Sequence, residues 1–200
     1  AGRKLYRPGE VGAAAQRPRS GLGRVLTMAR HLAIHPDDPQ PRLLAQAAEV
    51  VRAGGVVAIP TDSCYALGCH LGDKQAMERI MAIRQLDLRH HFTLVCRDLS
   101  ELGSYAKVDN VQFRQLKAAL PGPYTFILQA SKEVPRRTLH PKRATIGLRV
   151  PEHTVAQALL AELGEPLLSC TLLLPGETMP MADAWEIREQ LEHQVDAIIE

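Results

Sequence analysis

The chain is poor in the residues from which metal and disulfide frameworks are built. Its four cysteines, Cys64, Cys69, Cys96 and Cys170, are scattered and form no Cys-x-x-Cys pair. That excludes a zinc ribbon and a disulfide scaffold, and the thiols read as free and buried in a reducing cytoplasm. No apolar run approaches the ~18 residues of a membrane span, so no membrane association is expected. A charge excess is missing too: the net charge is +2, so any basic signal must be local. There is no phosphate-binding Walker loop, no dinucleotide fingerprint and no Gly-x-Ser-x-Gly elbow. His90-His91 has no partner at metal-ligand spacing and reads as surface loop, so neither a metal site nor a covalent catalytic residue is assigned.

What is present is enough for one domain with a substantial core, at 200 residues and 46% hydrophobic composition. The first thirty residues differ from the rest: Arg3, Lys4, Arg7, Arg17, Arg19, Arg24 and Arg30 face only Glu10. With frequent Gly, Pro and Ala and no apolar period, residues 1–33 read as a disordered basic extension. An organellar leader, or an extension upstream of a start at Met28, is an equivalent reading.

The folded domain is expected over 34–200. Helical spacing is visible at Leu43, Ala47, Val50 and Val51, closed by Gly54-Gly55. Asp73, Asp98, Asp109 or Asn110, and Asp183 stand where helices begin. Val155, Leu159, Leu160 and Leu163 mark another helix, stopped at Gly164. Strands are expected in the apolar run before Pro60, at 92–96, 124–128, 145–150, 166–174 and 195–199. Strands and helices mix without strict alternation, which predicts an α/β fold with a mixed sheet flanked by helices.

Two segments carry candidate chemistry. After the Gly54–Ile59 run comes Pro60-Thr61-Asp62-Ser63-Cys64-Tyr65. Small hydroxyl side chains and a carboxylate at the end of a strand suit a ligand loop, although the same residues make an ordinary turn. Between Ser131 and Arg149, the residues Lys132, Arg136, Arg137, Lys142, Arg143 and Arg149 face Glu133 alone. Such a patch suits phosphate or an RNA backbone, or is a solvated loop. Arg149 lies within a strand and can fork onto a carboxylate or phosphate. Tyr124 and Phe126 read as one face of a half-buried strand.

Four motifs in order resemble one family. Pro-Thr-Asp-Ser-Cys-Tyr-Ala-Leu-Gly at 60–68 is similar to the Pro-Thr-Asp-Thr-x-Tyr-Gly-Leu signature of the YrdC/YciO family. Pro-Gly-Pro-Tyr-Thr (121–125), Thr-Ile-Gly-Leu-Arg-Val-Pro-Glu-His (145–153) and Pro-Leu-Leu-Ser-Cys-Thr (166–171) resemble its later motifs. Cys-Arg-Asp-Leu-Ser-Glu-Leu (96–102) and Lys-Glu-Val-Pro-Arg-Arg (132–137) look like the YciO branch. The resemblance implies a twisted YrdC-like α/β fold with a basic concave surface. It further implies a cytoplasmic threonylcarbamoyl-AMP synthase-like protein, which takes L-threonine, bicarbonate and ATP with Mg2+ and releases pyrophosphate. The product feeds threonylcarbamoyladenosine in tRNA.

By the same resemblance, Thr61, Asp62, Ser63, Tyr65, Thr125, Thr145 and Arg149 would hold the amino acid or phosphates. Arg84, Ser169 and Thr171 would approach the nucleotide. Lys132, Arg136, Arg137, Lys142 and Arg143 would meet RNA in members that bind double-stranded RNA or tRNA. The chain departs from the synthase pattern at Leu86, where an arginine is usual, and at Leu173, where an asparagine is usual. Some synthases carry a histidine where this chain has Cys96. Loss of one charge-assisted and one neutral hydrogen bond predicts a rate lower by about two to three orders of magnitude. A non-catalytic RNA-binding protein, or an enzyme acting on another phosphorylated substrate, are the alternative readings. The family's final Gly-rich turn and strand do not follow Glu200, so an open sheet edge is also expected.

Overall fold

The computed structural model describes residues 28–87 and 90–200. Eight strands form one mixed sheet: β1 (Arg30–Leu32), β2 (Val57–Pro60), β3 (Tyr65–His70), β4 (Thr93–Val95), β5 (Phe126–Gln129), β6 (Thr145–Arg149), β7 (Leu167–Thr171) and β8 (Ala197–Ile199). Their spatial order is β1-β8-β2-β3-β7-β4-β6-β5. Strands β1, β8, β2, β7 and β5 run one way, and β3, β4 and β6 the other.

The helices are α1 (Pro41–Arg52), α2 (Lys74–Arg84), α3 (Leu99–Tyr105), α4 (Asn110–Ala119), α5 (Thr154–Leu163) and α6 (Ala184–Leu191). Their starts follow from local chemistry. Asp73, Asp98, Asp109 and Asp183 each accept backbone N–H groups of the first turn, and Gln112 returns a bond to the Asp109 N–H. Each such cap is worth about 1 kcal/mol. Gly54 and Gly164 take the left-handed conformation that closes α1 and α5.

Alternation along the strands sorts side chains onto two faces. Ala58, Tyr65, Leu67, Cys69, Leu94, Ile146, Leu148, Leu168 and Cys170 point into one core, which also takes in Met77 and Ile80 of α2, Leu102 of α3, Leu116 of α4 and Ile187 of α6. Val57, Ile59, Ala66, Val95, Leu167, Ala197 and Ile199 point the other way, where α1 and α5 cover them. Only part of that second face is covered. The other positions on this face include Thr93, Thr145, Gly147, Ser169, Thr171, Ile127 and Gln129. None of them belongs to the second core, and Ile127 is exposed.

Three expectations are corrected. The basic extension was placed at 1–33, but Arg30–Leu32 form β1, pairing in parallel with β8; residues 1–27 lie outside the described part. A three-residue strand with one buried side chain carries no readable period. Tyr65–His70 form a full strand, joined to β2 by the 61–64 turn, although its polar lead-in suggests loop. Strand β8 sits between β1 and β2, so β1 and β5 are the edges. Tyr124 precedes β5 and is exposed, while Phe126 packs on the core.

Strand β8 is locked from the side by Asp196. Its carboxylate accepts the Val56 N–H at 2.7 Å and pairs with Arg79 of α2 at 2.7 Å. Asp196→Ala removes the acceptor from a fully buried residue's N–H, which costs about 1–3 kcal/mol. Urea unfolding is expected to show that loss as a lower midpoint with an unchanged slope.

Candidate functional site

The 61–64 turn is shaped by its own hydroxyls. Thr61 Oγ1 donates to the Cys64 carbonyl at 2.6 Å and accepts the N–H groups of Ser63 and Cys64 at 3.3 and 3.4 Å. This leaves Asp62 at the tip of a fixed loop. Arg149 ends β6, three strands away from β3 in the sheet. Its Nη2 donates to Asp62 Oδ1 and to Ser63 Oγ, the latter at 3.0 Å. Asp62 Oδ2 accepts the Glu152 N–H at 3.1 Å. One carboxylate therefore ties the loop to the β6–α5 connection. Arg149 Nε is buried without a partner.

A cavity of about 370 Å3 opens beside this junction, lined by Thr61, Asp62, Ser63, Cys64, Tyr65 and His153. His153 caps α5: its Nδ1 accepts the Ala156 N–H at 3.4 Å. Burial holds its pKa below the ordinary value, with Asp62 opposing, so the ring that caps the helix is neutral. His153 also borders a larger cavity of about 690 Å3, walled by Leu99, Phe113, Leu120 and Val150. Tyr65 belongs mainly to the core, and burial, with Glu200 and Asp183, pushes its phenol up to about 12.

The open half-face continues from Arg149. Ser169 is buried and donates to the Thr93 carbonyl at 3.2 Å. Thr145 is buried under His91, whose Nε2 lies 3.2 Å from Thr145 Oγ1. The His91 ring stacks on His140, with centroids 4.7 Å apart. Burial, followed by the His140 and Arg143 charges, lowers the His91 pKa. Gly147 leaves the floor bare: a Cβ there would meet Thr93 Oγ1 at 2.7 Å, and the Phe92 carbonyl and Thr125 Cγ2 at 3.1 Å. Thr171 is exposed at the end of β7. Its carbonyl accepts from Arg84 Nη1, and Arg84 Nε is buried without a hydrogen-bond partner among the described residues.

The structure thus gathers Asp62, Ser63 and Arg149 directly and places Thr125, Thr145, Ser169 and Thr171 along one sheet face. Lys132, Arg136, Arg137, Lys142 and Arg143 are exposed between β5 and β6. Sequence reasoning missed Thr93, Gly147, His91 and His153. The first two share the face of Arg149 by strand register, a signal readable only once β4 is paired with β6. His153 closes the 145–153 motif without a role of its own there, and His91 carries no pattern in the sequence.

A family model described as Sua5_yciO_yrdC, telomere recombination, matches residues 49–200. The chain belongs to the Sua5/YciO/YrdC family. It is 60% identical to the YciO protein of Escherichia coli K12 over 172 residues, 86% of this chain and 84% of the relative. The crystal structure of E. coli YciO superposes with a TM-score of 0.84 over 86% of this chain and 84% of that one. A threonylcarbamoyl-AMP synthase of Vibrio vulnificus is 31% identical over 159 residues, 78% of this chain and 84% of the relative. The crystal structure of P. abyssi Sua5 complexed with L-threonine shares the fold, with a TM-score of 0.77 at 23% identity, covering 87% of this chain and 50% of that one.

Within this family fold the cysteines differ sharply in accessibility. Cys69, Cys96 and Cys170 are buried, and burial pushes their thiols up, to about 12 for Cys69 and about 11 for Cys170. Cys64 is half-buried and lines the smaller cavity. Ellman's reagent at mildly alkaline pH is expected to titrate Cys64 alone in the native protein and all four thiols after denaturation. A second fast native thiol would contradict this arrangement.

Proposed function

We propose that this protein binds L-threonine beside Asp62 and Arg149 and a nucleotide along the open half-face, and that it acts as a slow threonylcarbamoyl-AMP synthase. In that reaction the threonine amine and bicarbonate give a carbamate and water. The carbamate oxygen then displaces pyrophosphate from ATP. The observation that carries this reading is the unpartnered, buried Nε of both Arg149 and Arg84. An orphaned buried donor costs about 1–3 kcal/mol, which a ligand carboxylate or phosphate would relieve. Arg149 supplies that donor next to the hydroxyls of Ser63 and Thr61, which suit the polar end of an amino acid. Arg84 supplies it beside the Thr171 carbonyl at the end of β7. The protein's contribution is positioning and charge stabilisation.

Magnesium would come to this site on the nucleotide's phosphates. Among the described residues no three His, Cys, Asp or Glu side chains gather as a metal site, and Asp62 is held by Arg149. The departures from the synthase pattern support low turnover. Leu86 packs against the apolar core, and Leu173 is half-buried just past β7. Neither side chain offers a donor.

The assay is threonine- and bicarbonate-dependent release of pyrophosphate from ATP, with detection of the carbamoyl adenylate. Leu86→Arg combined with Leu173→Asn is expected to raise the rate roughly ten- to a hundredfold. Asp62→Ala should weaken threonine binding at least tenfold by calorimetry. Absence of product above a heat-killed control, in both parent and double variant, would refute the synthase reading.

The exposed Lys132, Arg136, Arg137, Lys142 and Arg143 favour a second reading, in which the segment before β6 contacts an RNA backbone. Binding to tRNA or duplex RNA should then fall steeply with salt, by a log–log slope of about −3 to −5 if most of these side chains meet phosphates. A flat response would remove this reading.

A further inference from the structure

The acidic face of α6 lies away from the open half-face and has no role in the reading above. Residues 177–192 carry Glu177, Asp183, Glu186, Glu189 and Glu192 against Arg188 alone, a net charge of −4. Asp183 caps the helix, and Glu192 pairs with Arg188 and His31. Glu177, Glu186 and Glu189 have no ion-pair partner among the described residues. They border a cavity of about 460 Å3 together with Met179 and Trp185. Met179 is 75% exposed and Trp185 63%, the two most exposed large apolar side chains among the described residues. An exposed tryptophan and methionine within a ring of unpaired carboxylates mark a contact surface.

The chain enters the folded body beside this surface. Ala29 N–H donates to the Glu192 carbonyl at 2.8 Å, at the C-terminal end of α6. Residues 1–27 carry six basic side chains, Arg3, Lys4, Arg7, Arg17, Arg19 and Arg24, and one acidic one, Glu10. A helix of eight residues is about 12 Å long, and four extended residues span about 13 Å. Residues 24–27 are therefore long enough to bring Arg24 from the Ala29 end of α6 to Trp185, with Arg19 and Arg17 within reach of Glu186, Glu189 and Glu177. An arginine over the indole face adds a cation–π contact.

We propose that the basic segment 1–27 docks on the acidic face of α6, with its arginines on Glu177, Glu186 and Glu189 and against Trp185. Trp185 is the only tryptophan of the chain, so its fluorescence reports on this face alone. In the full chain at low salt, acrylamide should quench Trp185 weakly. At ~0.5 M NaCl the quenching constant should rise about two- to threefold as the ion pairs are screened. Two full-chain variants, Glu186→Lys with Glu189→Lys and Arg19→Glu with Arg24→Glu, should each show the high-salt quenching already at low salt. Their combination should restore the protection. All four positions are surface or terminal, and an unchanged far-UV spectrum certifies the fold. Quenching indifferent to salt and to both charge reversals would overturn the proposal. So would a combined variant as exposed as its parents. Protection that grows with protein concentration would overturn it in favour of a second copy of the chain as the occupant.

Discussion

The carboxylate of Asp62 accepts hydrogen bonds from two parts of the chain that lie far apart in sequence, the guanidinium of Arg149 and the backbone N–H of Glu152. Both side chains of the pair are nearly closed off from water, at 13% exposure for Arg149 and 11% for Asp62. A pair so buried gains little net stability by existing, but removing one partner typically costs about 3–5 kcal/mol, because the other charge is stranded. The consequence is geometric: the 61–64 turn, the end of β6 and the start of α5 cannot move independently. His153, which caps α5 and lines the smaller cavity, is held in the same unit.

That junction stands at the border between two halves of one sheet face. On one side the face is apolar and α1 and α5 cover it. On the other it carries Thr93, Thr145, Gly147 and Ser169, side chains too small and too polar to hold a helix. Among the described residues no element packs an apolar stripe there. The same strands supply a fully apolar opposite face to the larger core, so the bare half costs the fold little. Strand alternation thus gives the larger core the even-numbered residues of β4, β6 and β7, and leaves Thr93, Thr145, Gly147, Ser169 and Thr171 on the open half-face.

Much of this was legible in the sequence because the signals are local. Aspartates before apolar-periodic runs fixed four helix starts, and the alternation of Thr145, Gly147 and Arg149 with Ile146 and Leu148 gave β6 and its faces. The Pro60–Tyr65 cluster marked the turn that joins β2 to β3. What was not legible depends on pairing. β1 is three residues long and exists through β8, its partner more than 160 positions later. The Asp62–Arg149 bond spans 87 positions. Thr93 becomes part of the floor only because β4 lies between β7 and β6. The His91–His140 stack joins the segment before β4 to the one before β6.

The two leucines at departures from the synthase pattern bear differently on the site. Leu86 follows Gln85, whose left-handed backbone closes α2, and its N–H returns to the Met81 carbonyl. The side chain is thereby turned onto the core, where an arginine would need to redirect its whole length outward to reach a ligand. Arg84, two residues earlier, already points to the far end of β7, where it bonds the Thr171 carbonyl. Leu173 sits one residue beyond Leu172, which is fully buried, on a stretch whose backbone bonds back to Thr171 and, through Leu172, to Tyr65. At the Arg84 end the two leucines present apolar side chains, whereas the Asp62–Arg149 end presents a charged fork and a hydroxyl neighbour. In the reaction proposed above, that asymmetry would weaken charge stabilisation of the transferring adenylyl group more than recognition of an amino acid, since the former relies on several donors acting together and the latter on one fork and its hydroxyl neighbours.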